Sequence, residues 1–250
     1  MDYLWKLFFM LVINYNVHLF LLFNILLNIG YLPRAFMQAV IIPLVKCKTG
    51  DLSDVNNYRA ITISTCLSKL FESAIAKEVF TNADCDKHQH GFKAHHSTGL
   101  CTHVFKQTVE YYVNCGSHVF ASFIDFSKAF DCVNYWKLFN KLLDDMIDIS
   151  VVKILTHWYS QQEVCVRWLS ALSSFFFIGN GTRRGGILSP YLFSRYIREL
   201  LAELEASWVG CCVGGMLVNV LAYADDIVLL APSWRGLQFL LSILEKKAQC

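Results

Sequence analysis

Three aspartates stand where an apolar core would not ordinarily place them. Asp225 and Asp226 are adjacent, between the apolar runs Val218-Asn219-Val220-Leu221-Ala222 and Ile227-Val228-Leu229-Leu230-Ala231. Two neighbouring carboxylates at the tip of such a hairpin repel each other, and they are poorly solvated if their flanks are buried. A bare pair would be explained by a solvated, Asp-rich turn. A third acid, Asp125, closes another apolar run, Val119-Phe120-Ala121-Ser122-Phe123-Ile124, and the polar Ser127 and Lys128 follow it. If the two runs are neighbouring strands of one sheet, three carboxylates converge at one end. Oxygen-ligated divalent cations, Mg²⁺ or Mn²⁺, relieve such repulsion. Two such ions about 3.5–4 Å apart stabilise the attacking and leaving oxygens of phosphoryl transfer. The acids are far apart in sequence, so convergence is left to the fold.

Other candidate ligands are weaker. Cys85, His88, His90, His95 and His96 carry metal-ligand chemistry, but their spacing matches no standard zinc site. The chain has 10 cysteines and no C-x-x-C. Their scatter through apolar stretches reads as reduced, buried thiols of an intracellular protein.

The elements that must position these residues follow from periodicity. Residues 1–29 read as a helix broken by Gly30 and Pro33. Residues 37–45 read as a strand, with Pro43 arguing for an edge or a bulge. Residues 61–63 suit a short strand, 68–80 a helix and 98–113 a second helix after the polar loop 82–97. A strand over 119–124 ends at Asp125. Helices follow over 135–143 and 151–159. Residues 164–168 and 175–178 suit a hairpin pair, and 179–186 is a glycine-rich turn. Ser189 and Pro190 open a helix to about Glu205, a good N-cap followed by an N1 proline. Strands over 217–222 and 227–231 flank Tyr223-Ala224-Asp225-Asp226, and a helix closes the chain over 233–247. Helices mixed with antiparallel strands make an α+β protein.

Composition bounds the rest. The 250 residues are 55% hydrophobic and 17% charged, and the mean hydropathy is +0.39. A chain so apolar can offset its ordering entropy, which excludes disorder. With 13 Gly and 4 Pro, collagen-like and low-complexity readings also fail. A net charge of +2 neither announces nor forbids nucleic acid. The apolar surplus suggests a membrane segment or a piece of something larger. Between Lys6 and Arg34 there is no charge, yet Asn14, Asn16, His18, Asn24 and Asn28 interrupt the run, so a helix of the fold is favoured over a membrane span.

Beyond these readings, Phe123-Ile124-Asp125-Phe126-Ser127-Lys128-Ala129-Phe130-Asp131 resembles the first catalytic motif of reverse transcriptases. The stretch from Gly181 through Arg183-Arg184-Gly185-Gly186 to Phe193 resembles the second, and Leu221-Ala222-Tyr223-Ala224-Asp225-Asp226 is similar to the Tyr-x-Asp-Asp motif. Upstream, Ile42-Pro43-Leu44-Val45-Lys46, Asn57-Tyr58-Arg59-Ala60-Ile61 and His90-Gly91-Phe92-Lys93 resemble fingers motifs of non-LTR (LINE-type) retrotransposon polymerases. The resemblance runs in family order from about residue 18 to residue 245.

The resemblance implies a polymerase right-hand fold. Its palm would be an antiparallel sheet packed on helices (a ferredoxin-like core), with a lead-in over 1–33, fingers over 34–118 and palm over 119–250, truncated before the thumb. It implies RNA-directed DNA polymerase activity, with an RNA template, a DNA primer, deoxynucleoside triphosphates and two Mg²⁺ (or Mn²⁺) ions, and no obligate protein partner beyond the thumb of a parent polyprotein. Asp125, Asp225 and Asp226 would be catalytic, and with Phe126 would form the metal set. Lys46, Arg59, Phe126, Ser127, Lys128, Ala129, Phe130, Arg184 and Gly185 would meet the nucleotide, Phe130 as the bulky residue under the sugar. Gly186, Ser189, Pro190, Tyr223 and Ala224 would lie near template and primer. Arg184 stands where the family usually has Gln, and Ala60 where it has Pro. The alternative is an inactive, truncated remnant that folds or binds nucleic acid without catalysis. A cellular location is not legible; nucleus or cytoplasm is favoured.

Overall fold

The computed structural model describes residues 2–80, 89–93, 96–126 and 128–248, with side chains over 15–77, 89–93, 96–126 and 128–247. In chain order come α1 (Asp2–Ile29), α2 (Arg34–Met37), β1 (Gln38–Val45), β2 (Tyr58–Ser64), α3 (Cys66–Phe80), α4 (Thr98–Asn114) and β3 (Phe120–Asp125). Then follow α5 (Tyr135–Asp144), α6 (Ile149–Ser160), β4 (Glu163–Trp168), β5 (Ala171–Leu172), β6 (Phe176–Phe177) and α7 (Ser189–Ala206). The chain closes with β7 (Cys211–Val213), β8 (Met216–Val218), β9 (Val220–Tyr223), β10 (Asp226–Ala231) and α8 (Trp234–Ala248). Local signals set several ends. Ser97, Asn134 and Asp148 each cap a helix by accepting a backbone N–H.

The chain forms two compact units, both discontinuous in sequence. The first joins residues 1–81 to 134–188, and the second joins 82–133 to 189–250.

In the first unit, β1 pairs antiparallel with β2 and parallel with β4, and β4 pairs with β5 and β6. The strand bearing Pro43 is therefore not an edge strand throughout. The β4 ladder spans Gln38–Ile41 only, so Pro43 falls past it, where a missing N–H costs β4 nothing. Arg34 makes a two-pronged ion pair with Glu163, Nε to Oε2 at 2.9 Å and Nη2 to Oε1 at 3.1 Å, and Gln38 adds a third bond to the same carboxylate. The core is aromatic: the Phe71 ring stacks on Trp158 at 5.8 Å, and Phe23 and Phe36 pack against Phe71. Leu32, Leu138, Leu142, Ile154 and Leu155 complete it.

The second unit is built on a three-stranded antiparallel sheet in the order β3-β10-β9. Its central strand alternates, and both faces are covered. Val228 and Leu230 face α4, in a cluster with Leu221, Val104 and Phe105. Ile227, Leu229 and Ala231 point to the other face, where α8 packs on β10 and α7 packs on α8. The single strand expected over 217–222 is broken at Asn219. That residue is buried and donates its amide to the carbonyls of Leu204 and Val209, leaving the β8 and β9 ladders on either side. The β7–β8 hairpin, closed at Gly214-Gly215, had no sequence expectation.

One expectation changes. The described cysteines are free thiols, but only Cys165 and Cys211 are buried; Cys47, Cys66, Cys115, Cys132 and Cys212 are exposed. A small thiol in an apolar run does not decide which side of an element it occupies. Leu26 of α1 is buried and Phe23 contacts Phe71, while Phe20, Leu21, Ile25 and Ile29 are exposed. Among the described residues, no helix is long and apolar enough to cross a membrane.

Candidate active site

The three aspartates meet through strand register. In the β3–β10 ladder Asp226 is the partner of Asp125, and Ile227 the partner of Ile124. Directly opposed residues share a face, with Cβ atoms about 4.5–5.5 Å apart. Across the other edge of β10, Asp226 pairs with Tyr223, so Ala224 and Asp225 form the two-residue turn. The acid pair is thus split: Asp225 lies in the turn and Asp226 on the strand. Partial burial pushes the Asp226 carboxyl above its ordinary value, and the charges of Asp225 and Asp125 push it the same way. Three hard oxygen donors in mutual repulsion are the donor set that Mg²⁺ or Mn²⁺ takes. Among the described residues no three His, Cys, Asp or Glu side chains are already gathered closely enough to hold an ion. The acids are neighbours by register, not a closed cage.

The turn itself is unusual. Ala224 has φ +58°, a region that costs a non-glycine residue about 1–3 kcal/mol. A residue the sequence reading passed over holds it there. Gln89 is buried, and its Oε1 accepts the N–H of Ala224 at 2.9 Å and of Gly91 at 2.8 Å, while its Nε2 donates to the Ala224 carbonyl at 3.1 Å. The His90 N–H donates to the Ala222 carbonyl at 2.7 Å. A polar residue in a polar loop carries no sequence signal for such a role; only its nearness to the His90-Gly91-Phe92 motif could have raised it.

After Asp125 the chain turns sharply. Lys128 has φ +57°, its carbonyl accepts from Asp131 and Cys132, and a 3-10 turn runs over Ala129–Cys132. Phe126 precedes the turn and its carbonyl accepts the Ala129 N–H. The Phe130 ring stacks on Phe193 at 4.6 Å and meets Phe92 edge-on at 6.1 Å. Ser189 and Pro190 lie at the start of α7 in this unit, with Ser189 buried. Ser127 lies outside the described residues, as do Cys85, His88 and His95. The His90 and His96 rings lie 6.0 Å apart.

The other residues that the family resemblance assigns lie in the first unit, described here by itself. Lys46 and Arg59 are exposed on the β1–β2 hairpin, where Leu44 pairs with Arg59; the Lys46 ammonium donates to the Asn56 carbonyl at 2.8 Å. The two neighbouring arginines of the glycine-rich turn have different fates. Arg183 is buried, and its guanidinium donates to Gln162 and the Met37 carbonyl and lies 5.2 Å over the Trp158 ring. Gln162 also bonds the Tyr135 hydroxyl. Glu72, buried as well, lies 4.0 Å from Arg183 and accepts the Ile187 N–H at 2.6 Å. Burial pushes the Glu72 carboxyl up and the Arg183 guanidinium down, so for both groups desolvation outweighs their mutual attraction. Arg184 is less buried, and its carbonyl accepts from the Thr62 N–H at 2.7 Å. Gly185 has φ +102°, and a Cβ there would sit 2.9 Å from the Thr62 carbonyl oxygen. Gly186 donates to the Arg183 carbonyl.

Comparison with known proteins agrees with this architecture. A family model described as reverse transcriptase (RNA-dependent DNA polymerase) matches residues 47–249. The RNA-directed DNA polymerase from the mobile element jockey of Drosophila funebris is 27% identical over 87% of this chain and 24% of its own length. The Pol polyprotein of the type-1 retrotransposable element R2 of Popillia japonica is 28% identical over 80% of this chain and 28% of its own. The chain thus spans about a quarter of the length of these curated relatives. Among solved structures, a Candida tropicalis telomerase truncated from its C-terminal domain aligns with TM-score 0.56 and 9% identity, over 86% of this chain and 47% of that one. At that identity the likeness is one of fold, and the fold is the polymerase right-hand type with mixed helix and sheet.

Proposed function

The chain belongs to the reverse transcriptase (RNA-dependent DNA polymerase) family, and from that premise we propose that it is the fingers and palm of a non-LTR retrotransposon polymerase, with lead-in 1–33, fingers 34–118 and palm 119–250. In this reading Asp125, Asp225 and Asp226, with Phe126 beside them, hold two divalent cations. Such ions supply charge neutralisation for an attacking 3′-hydroxyl and a leaving pyrophosphate. The observation that carries the reading is the register that sets Asp226 opposite Asp125, with Asp225 in the adjoining turn.

The chain's own residues then have separable tasks. Lys46 and Arg59 offer positive charge to a triphosphate, and the Arg fork suits phosphate oxygens. Phe126, Lys128 and Ala129 present backbone to the phosphates, and the motif resemblance assigns Ser127 to the same nucleotide. Phe130, whose ring packs on Phe193 and Phe92, is in this reading the bulky residue under the sugar that would exclude a 2′-hydroxyl. Arg184 and Gly185 border the nucleotide, and Gly186, Ser189, Pro190, Tyr223 and Ala224 lie near template and primer. Substrates are an RNA template, a DNA primer and deoxynucleoside triphosphates.

The test is primer extension on an RNA template with Mg²⁺ or Mn²⁺, comparing the chain with Asp225→Asn. Incorporation that needs the ion and falls about 10³-fold or more in the variant supports the reading. Undiminished incorporation by the variant sinks the metal assignment. Nucleic-acid binding with no incorporation by either favours the non-catalytic alternative.

A further inference from the structure

We propose that Gln89 is a positioning residue for the acid-bearing hairpin: its buried carboxamide, with Gly91 beside it, locks Ala224 in the left-handed turn and so sets where Asp225 and Asp226 stand. The proposal rests on the reading of those acids as the ion-holding pair, but the lock itself is a property of this unit alone.

The argument is one of matched donors and acceptors. Ala224 occupies a strained conformation with φ +58°, and strain persists only where its surroundings over-determine it. The Gln89 side chain takes up both backbone groups of that one residue, accepting from its N–H at 2.9 Å and donating to its carbonyl at 3.1 Å. A carboxamide offers an acceptor and a donor at one end. A carboxylate of the same length accepts but cannot donate, and it adds a negative charge near the acids. A thioether offers neither, and leaves the part-buried Ala224 N–H and the buried Gly91 N–H without Oε1.

Gly91 supplies the access. A Cβ built there would lie 2.3 Å from the Ala224 nitrogen, so only glycine lets the two backbones approach so closely. The His90 N–H bond to Ala222 and the parallel bridge between Gln89 and Ala222 lay the segment along β9, just before the turn. The same segment continues to Phe92, which meets Phe130. Four consecutive residues therefore brace both the turn that carries the acids and the ring proposed as the sugar floor.

The experiment compares the full chain with Gln89→Met and Gln89→Glu by amide hydrogen exchange, thermal unfolding and Mn²⁺ titration followed by electron paramagnetic resonance. In Gln89→Met the peptide spanning 220–228 should exchange about tenfold faster, the loss expected for one or two buried hydrogen bonds, while peptides from α7 and α8 keep their protection. Mn²⁺ affinity should fall, and where extension is measurable kcat should drop with KM for the nucleotide little changed. Gln89→Glu, which keeps both accepted bonds, should show a smaller rise in exchange, and it carries the comparison if Gln89→Met does not fold. Wild-type exchange over 220–228 in a folded Gln89→Met or, failing that, in Gln89→Glu overturns the proposal. If the wild-type chain binds no Mn²⁺ and extends no primer, the polymerase reading fails while the exchange data still decide the lock.

Discussion

Asp226 stands directly opposite Asp125 across the β3–β10 ladder, and the turn residue Asp225 adds a third negative charge beside them. Like charges opposed on one sheet face destabilise it. The arrangement is therefore held against electrostatic cost by the apolar packing of Ile227, Leu229 and Leu230 further along the same strand.

Removing that repulsion should stabilise the fold. Asp226→Asn keeps the side-chain shape and discharges it, so at neutral pH without divalent ions its melting temperature should exceed the wild type's. The gain should be a few degrees at most, since Asp226 is exposed to screening solvent. Mn²⁺ should raise the wild-type melting temperature more than the variant's, because an ion that binds only the folded state stabilises it by mass action. A lower melting temperature for Asp226→Asn would contradict the repulsion.

The Glu72–Arg183 pair should behave as a buried pair whose halves cannot be removed singly. Glu72→Ala leaves the Arg183 charge buried without its opposite and the Ile187 N–H without its acceptor. The expected loss is about 3–5 kcal/mol, read by chemical denaturation. Adding Arg183→Met should cost less than the sum of the two single changes, because they share one interaction. Strict additivity would show that the pair is not coupled.

Acid should weaken the Arg34–Glu163 clamp. The Arg34 and Gln38 bonds hold the Glu163 carboxyl below its ordinary value of 4.5. The folded state thus binds a proton less readily than the unfolded one, and the stability this supplies is present above pH 4.5 and lost as pH falls through the folded value. A wild-type melting curve should therefore drop more steeply below that pH than that of Glu163→Gln. Parallel curves would remove the clamp as a source of acid sensitivity.

Gly185 should tolerate no side chain. Gly185→Ala meets the Thr62 carbonyl oxygen and must also hold φ at +102°. A destabilisation of roughly 2 kcal/mol or more is expected, with faster exchange of the Thr62 amide that bonds the Arg184 carbonyl. An unchanged melting temperature would mean that the loop relaxes freely.

Much of this was legible in the residues. The helical and alternating patterns located the main elements to within a few residues, because amphipathic burial leaves its period in the sequence. The expected end of β3 at Asp125 and the turn around Ala224 and Asp225 were readable for that reason. The broken strand at Asn219 was not, since its cause is a hydrogen bond to the distant Leu204 carbonyl. The two arginines at 183 and 184 look alike in sequence, and burial beside Trp158 and Glu72 separates them.

By itself, then, the sequence determined the strand that ends in Asp125, the hairpin that carries Asp225 and Asp226, and the motif order that identifies the family. Those are properties of local pattern, written within a dozen residues of each site. Tertiary structure alone decided that Asp226 and not Asp225 faces Asp125, that Gln89 holds Ala224, and that Arg183 is buried in the core. Each depends on register or packing between segments about a hundred or more residues apart, such as the 135 that separate Gln89 from Ala224. Local periodicity carries no information about which partner a strand edge or a buried amide will meet.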